Sequence, residues 1–80
     1  MFKKKLPVGT LADRPITMES RRRASVIPDP ELGPTLDSLL MYTAGAIDNW
    51  RYRDGPGSDV SLAIDGIMAI WNEVERRGLG

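Results

Sequence analysis

From Leu36 onward the apolar residues recur at helical spacing. Turning about 100° per residue gathers Ala46, Leu39, Trp50, Thr43, Leu36, Ile47, Leu40 and Ala44 into one arc about 160° wide. The same construction from Val60 gathers Ile70, Ala63, Val74, Ile67, Val60, Trp71, Ile64 and Met68, with Ser61, Asp65, Asn72 and Arg76 on the opposite side. The two stretches share one layout offset by 24 residues. This is a common packing pattern and not a repeat array, because the residue identities differ and two units are too few for a solenoid.

Local signals punctuate these helices. Pro28-Asp29-Pro30-Glu31 is a start signal: Asp29 can cap free amides, Pro30 suits a first helical position and Glu31 favours the positive end of the helix dipole. Pro34 is expected to reset the helix, which predicts one turn near 30–33 and a main helix over about 34–53. Asp54-Gly55-Pro56-Gly57-Ser58-Asp59 predicts a turn over 54–58, with Ser58 or Asp59 capping a second helix over about 59–77. Arg76 and Arg77 suit its last turn, Gly78 a left-handed end, and Leu79 can fold back toward Val74. Residues 1–28 show no sustained period, carry Pro7, Pro15 and Pro28, and read as an extended arm. The expected fold is all-α: an antiparallel two-helix hairpin over 29–80 behind that long basic arm.

In such a hairpin Leu36, Leu39, Leu40, Thr43, Ile47 and Trp50 would pack against Val60, Ile64, Ile67, Ile70, Trp71 and Val74. A single helix neighbour covers a stripe of only about 100°, so the wider arcs leave apolar surface over. The hairpin is therefore expected to be completed by its own arm, by a second copy in a four-helix bundle, or by a larger host protein. Met41, Gly45 and Tyr52 on the first helix, and Leu62, Gly66 and Ala69 on the second, fall away from the expected core. Gly45 and Gly66 there would let a partner backbone approach closely; scattered surface apolars beside tolerated glycines are the plainer explanation.

Charge changes the picture more than composition does. Eleven Lys+Arg balance eleven Asp+Glu over the 80 residues. Up to Pro28, however, Lys3, Lys4, Lys5, Arg14, Arg21, Arg22 and Arg23 face only Asp13 and Glu19, and the rest of the chain carries the matching acidic excess. Seven cations on an arm could neutralise phosphates. No base-reading element accompanies them, and Phe2 is the arm's one aromatic residue, which argues against a stacking platform for single strands. Prolines and spaced apolar residues suit a groove on an acidic protein better. Arg22-Arg23-Ala24-Ser25 has the form of a basophilic kinase site, a short match that arises often by chance.

Cysteine and histidine are both absent, which removes disulfides, thiolate nucleophiles, imidazole bases and Cys- or His-containing metal sites. Carboxylates are the remaining catalytic candidates, but Asp37, Asp48 and Asp65 fall on polar helix faces, and a hairpin offers little concavity for paired acid–base work. The 54–59 segment lacks the ligand spacing of a calcium loop and the Lys-Ser/Thr ending of a phosphate loop. No cofactor, metal or small-molecule substrate is expected. Pro7, Gly9, Asp13 and Arg14 interrupt any signal-peptide core, and no uncharged stretch approaches the roughly 18 residues of a membrane span. These features lead to the expectation of a soluble, non-enzymatic structural or accessory subunit, cytoplasmic or within a particle such as a bacteriophage virion. Its hairpin would dock and its arm would staple a larger assembly. The alternative expectation is a small nucleic-acid-binding regulator that dimerises through the hairpin.

Overall fold

The structure, a computed structural model, describes residues 16–80. Three helices make up the described residues, with no strand: α1 (Met18–Ser25), α2 (Asp29–Tyr52) and α3 (Gly57–Arg76). The all-α expectation holds; two helices were expected and three are found. Lys3, Lys4, Lys5 and Arg14 lie outside the described residues, whereas Arg21, Arg22 and Arg23, expected on extended chain, sit on α1.

α1 escapes a reading based on hydrophobic period because its buried residues, Ser20 and Ala24, are small and its other faces are charged. Its stability comes from its ends. Thr17 is the N-cap, and its Oγ1 accepts a hydrogen bond from the Ser20 amide at 3.2 Å. In a capping box the residue at the third helical position reaches back to the N-cap amide. Ser20 occupies that position here, and Asp65 of α3 does the reaching instead: the Thr17 amide donates to Asp65 Oδ1 at 3.1 Å and Thr17 Oγ1 donates to Oδ2 at 2.6 Å. Asp65, expected on a solvated face, is consequently 1% exposed.

α2 runs unbroken through Pro34, against the expectation of a reset there. Proline at this position removes one hydrogen bond, the one its own amide would have given to the carbonyl of Pro30, and it does so on an exposed side of an early turn. Asp29 does not cap α2; Pro28 holds the N-cap position and Asp29 is turned to Arg77. α3 likewise begins at Gly57, two residues earlier than expected, behind Pro56 and without a side-chain cap. In the connection Asp54 takes a left-handed conformation (φ 58°), tolerable for aspartate. A Cβ on Gly55 would run into the Asn49 side chain, so a larger residue there would have to displace that amide. The end of α3 follows expectation: Gly78 is left-handed (φ 73°), its amide donates to Glu75 O, and the Leu79 amide donates to Val74 O at 2.9 Å, a Schellman closure.

α1 and α2 each pack along α3, and their side chains come together over it where Ala24 and Leu32 share one buried cluster. Asp29 meets Arg77, Leu39 lies beside Gly66, and Trp50 lies beside Gly57, so α2 runs opposite to α3. Thr17 meets Asp65 and Ala24 meets Arg77, so α1 runs with α3. One row of α3 at four-residue spacing, Asp65, Ala69, Glu73 and Arg77, forms the seat of α1. Ala69 is 1% exposed at its centre, packed in a cluster with Ala24, Leu32 and Ile70. The buried apolar set is thin, namely Ala24, Leu32, Ala63, Ala69 and Ile70, three of the five being alanine.

Candidate interaction surfaces

Two polar clamps hold α1 on α3, and they define what the remaining surface can do. The first is the Asp65–Thr17 cap. The second is built on Glu73, buried beside two arginines: Arg76 donates from Nη2 at 2.7 Å and from Nε at 3.2 Å, and Arg77 donates from Nε at 2.8 Å. Arg77 also reaches across the fold, donating from Nη1 to Asp29 Oδ1 at 2.6 Å and Ile27 O at 2.7 Å, and from Nη2 to Ser25 O at 3.2 Å. One guanidinium thus satisfies carbonyls at the end of α1 and a carboxylate at the start of α2. Among the described residues no buried side-chain polar atom lacks a partner.

The Arg76 hydrogen bond holds the Glu73 carboxyl below its usual range, burial opposes this, and the Arg77 hydrogen bond adds to the lowering. A carboxyl lowered in the folded state stabilises the fold above its unfolded pKa of about 4.3 and loses that contribution as pH falls through the folded value. Thermal melts between pH 6 and 2.5 are therefore expected to show the parent losing more stability than Glu73→Gln, with the two curves converging at the acid end. Parallel curves would remove Glu73 from the acid response.

Because α1 and α2 stand apart over α3, they leave a groove of about 380 Å3 between them. Its floor is Ala63, Gly66 and Ile70, and its walls include Ala24, Ile27 and Leu39, with Arg23, Tyr42 and Leu62 at the rim. The groove was not legible beforehand, since it exists only through α1. Gly66 and Ala69, expected to face away from the core, turn inward: a Cβ on Gly66 would stand 3.3 Å from Leu39 Cδ1, so Gly66 lets α2 and α3 approach closely within this fold. Gly45 has open space beside it, and Met41, Tyr52 and Leu62 are exposed as expected.

The other flank of the α2/α3 pair is apolar and, among the described residues, carries no third helix. At about 100° per residue, Leu40 and Ile47 point to the side of α2 opposite Thr35 and Tyr42 of the groove wall. Ile64, Ile67 and Trp71 point to the corresponding side of α3. Leu40 is 51% exposed and Trp71 47%, while Ile47, Ile64 and Ile67 are half-buried. Here the expected core is corrected: Leu40, Trp50 and Trp71 stand at the surface. Leu36 and Val74 pack partly buried against the cluster, and Ile70 is fully inside. Among the described residues, α1 covers the polar side of α3 and leaves this apolar flank open except at its edge, where Ile16 lines a hollow with Ile67 and Trp71.

The basic residues of α1 do not form one surface. Consecutive helical residues diverge by about 100°, so Arg21, Arg22 and Arg23 fan outward, and Arg23 is paired with Glu19 at 2.7 Å. Asp37 and Asp48 are exposed. Among the described residues no group of three or more His, Cys, Asp or Glu could hold a metal, and no helix is long and apolar enough to cross a membrane. Comparison with known protein families, curated proteins and solved structures finds no match.

Proposed function

We propose that this chain is a small, non-enzymatic structural or accessory subunit that completes its own core by docking on protein. The reading rests on one observation: the α2/α3 pair keeps an apolar flank open, with Leu40 and Trp71 near half exposure, while the helices bury so little between them. Open flanks of this kind on small soluble folds mark contact sites. The segment before Ile16, with Lys3, Lys4, Lys5 and Arg14 against Asp13, adds a basic stretch. It suits a second contact on an acidic protein surface and would raise the avidity of the first. In this reading the assembly it serves is a particle such as a bacteriophage virion.

The test is affinity capture with the full chain and mass measurement of the intact complex, run beside Leu40→Lys. Leu40 is exposed, so the variant is expected to keep its helical circular dichroism, to change the stability of the single chain by no more than about 0.5 kcal/mol, and to lose the complex. A variant that keeps the complex, or a parent that associates with nothing, counts against the reading.

A further inference from the structure

The two helices present matching positions on the open flank. The 24-residue offset pairs Leu40 with Ile64, Ile47 with Trp71 and, at the far end, Arg51 with Glu75. The last pair is the one place on this flank where equivalent positions carry opposite charge. Both side chains are exposed. Because α2 and α3 run in opposite directions, Arg51 stands at one end of the flank and Glu75 at the other. Arg51 also lies over the Tyr52 ring, 5.0 Å from its centre.

We propose that this flank is the interface of a two-fold dimer of the chain, with the two-fold axis lying in the interface across the helices. The inference rests on the docking surface proposed above and names its occupant as a second copy. An axis along the helices would set Arg51 near Arg51 of the other copy and Glu75 near its own equivalent, with Asp37 close to the acidic end. An axis across the helices brings opposite ends together: Arg51 of each copy meets Asp37 and Glu75 of the other, twice by symmetry. Charge selects the second arrangement. Size permits it as well. The 20 residues of α3 lie beside α2 from Gly57 at Trp50 to Arg77 at Asp29, roughly 30 Å, and two helices abreast are about 20 Å wide. Two such faces bury on the order of 1,000 Å2 together, where stable interfaces begin.

The experiment is sedimentation equilibrium of the full chain from 5 to 200 µM, with bis-ANS binding measured in parallel, on the parent, Leu40→Lys, Arg51→Glu, Glu75→Arg and the double reversal. The expected result is a dimer in the parent and a monomer in Leu40→Lys. Each single reversal should weaken dimerisation about tenfold, the equivalent of 1.4 kcal/mol, and the double reversal should recover most of that loss. A dimer indifferent to the charge reversals overturns the arrangement. A parent that stays monomeric yet binds bis-ANS, with binding lost in Leu40→Lys, overturns the dimer and leaves the docking surface standing for another protein. A monomer that binds no dye overturns both.

Discussion

Leu32→Ala is expected to destabilise the protein by about 3 kcal/mol, within the range for truncating a fully buried leucine, and to lower the melting temperature by roughly 10–20 °C in a domain this size. Leu32 is 1% exposed and packs with Ala24, Ala69 and Ile70, where the start of α2 meets the other two helices. Two of the three buried residues that share its cluster are alanines, which have no flexible side chains to fill the space left behind, so much of the cavity persists. A fold with a net stability on the order of 5 kcal/mol then has a substantial unfolded fraction when warm. Leu32→Met, which nearly conserves volume, should cost under about 1.5 kcal/mol. Urea melts of the three proteins at one fixed concentration, since self-association would shift all of them, check the ordering. A cost below about 1 kcal/mol for the alanine variant would mean that Leu32 is not the centre of the core.

Asp65→Ala is the second large effect, at about 2 kcal/mol, the scale of hydrogen bonds to a charged acceptor. The carboxylate holds both the amide and the hydroxyl of Thr17, and no nearer residue substitutes for it, because Ser20 stands where a capping box would have glutamate. Thr17 itself borders solvent, so its donors can rehydrate, which keeps the cost below that of stranding buried groups. The loss should fall on α1: hydrogen exchange is expected to accelerate over residues 18–25 while the middle of α2 stays protected. Asp37→Ala, on an exposed face, should change stability by less than about 0.5 kcal/mol. Equal effects from Asp65 and Asp37 would show that the α1 clamp does not form.

Much of this architecture could be read before any packing was known. The apolar periods of α2 and α3, the break at Asp54–Gly57 and the glycine closure after α3 all follow from local physics. α1 was also signalled, though weakly: Thr17 ahead of Met-Glu-Ser-Arg-Arg-Arg-Ala is an N-cap followed largely by helix-favouring residues, with acid first and base last. A search for apolar period passes over it because its contact residues are Ser20 and Ala24. The error carried into the site. With α1 taken as extended, Asp65 and Ala69 belonged to outward faces and the groove beside Leu39 and Gly66 had no second wall.

The chain alone determined that two long amphipathic helices would form and that their apolar arcs would be wider than one neighbour can cover, because both properties depend on residue spacing around a helix axis. The tertiary structure decided which part of those arcs is covered. α1 docks on the polar row Asp65–Ala69–Glu73–Arg77, where carboxylates and a guanidinium meet groups up to 53 residues away, and it leaves Leu40 and Trp71 facing out. The reason is physical: the burial of a charged side chain depends on whether a partner arrives to satisfy its hydrogen bonds, and that partner is set by the path of the chain through space.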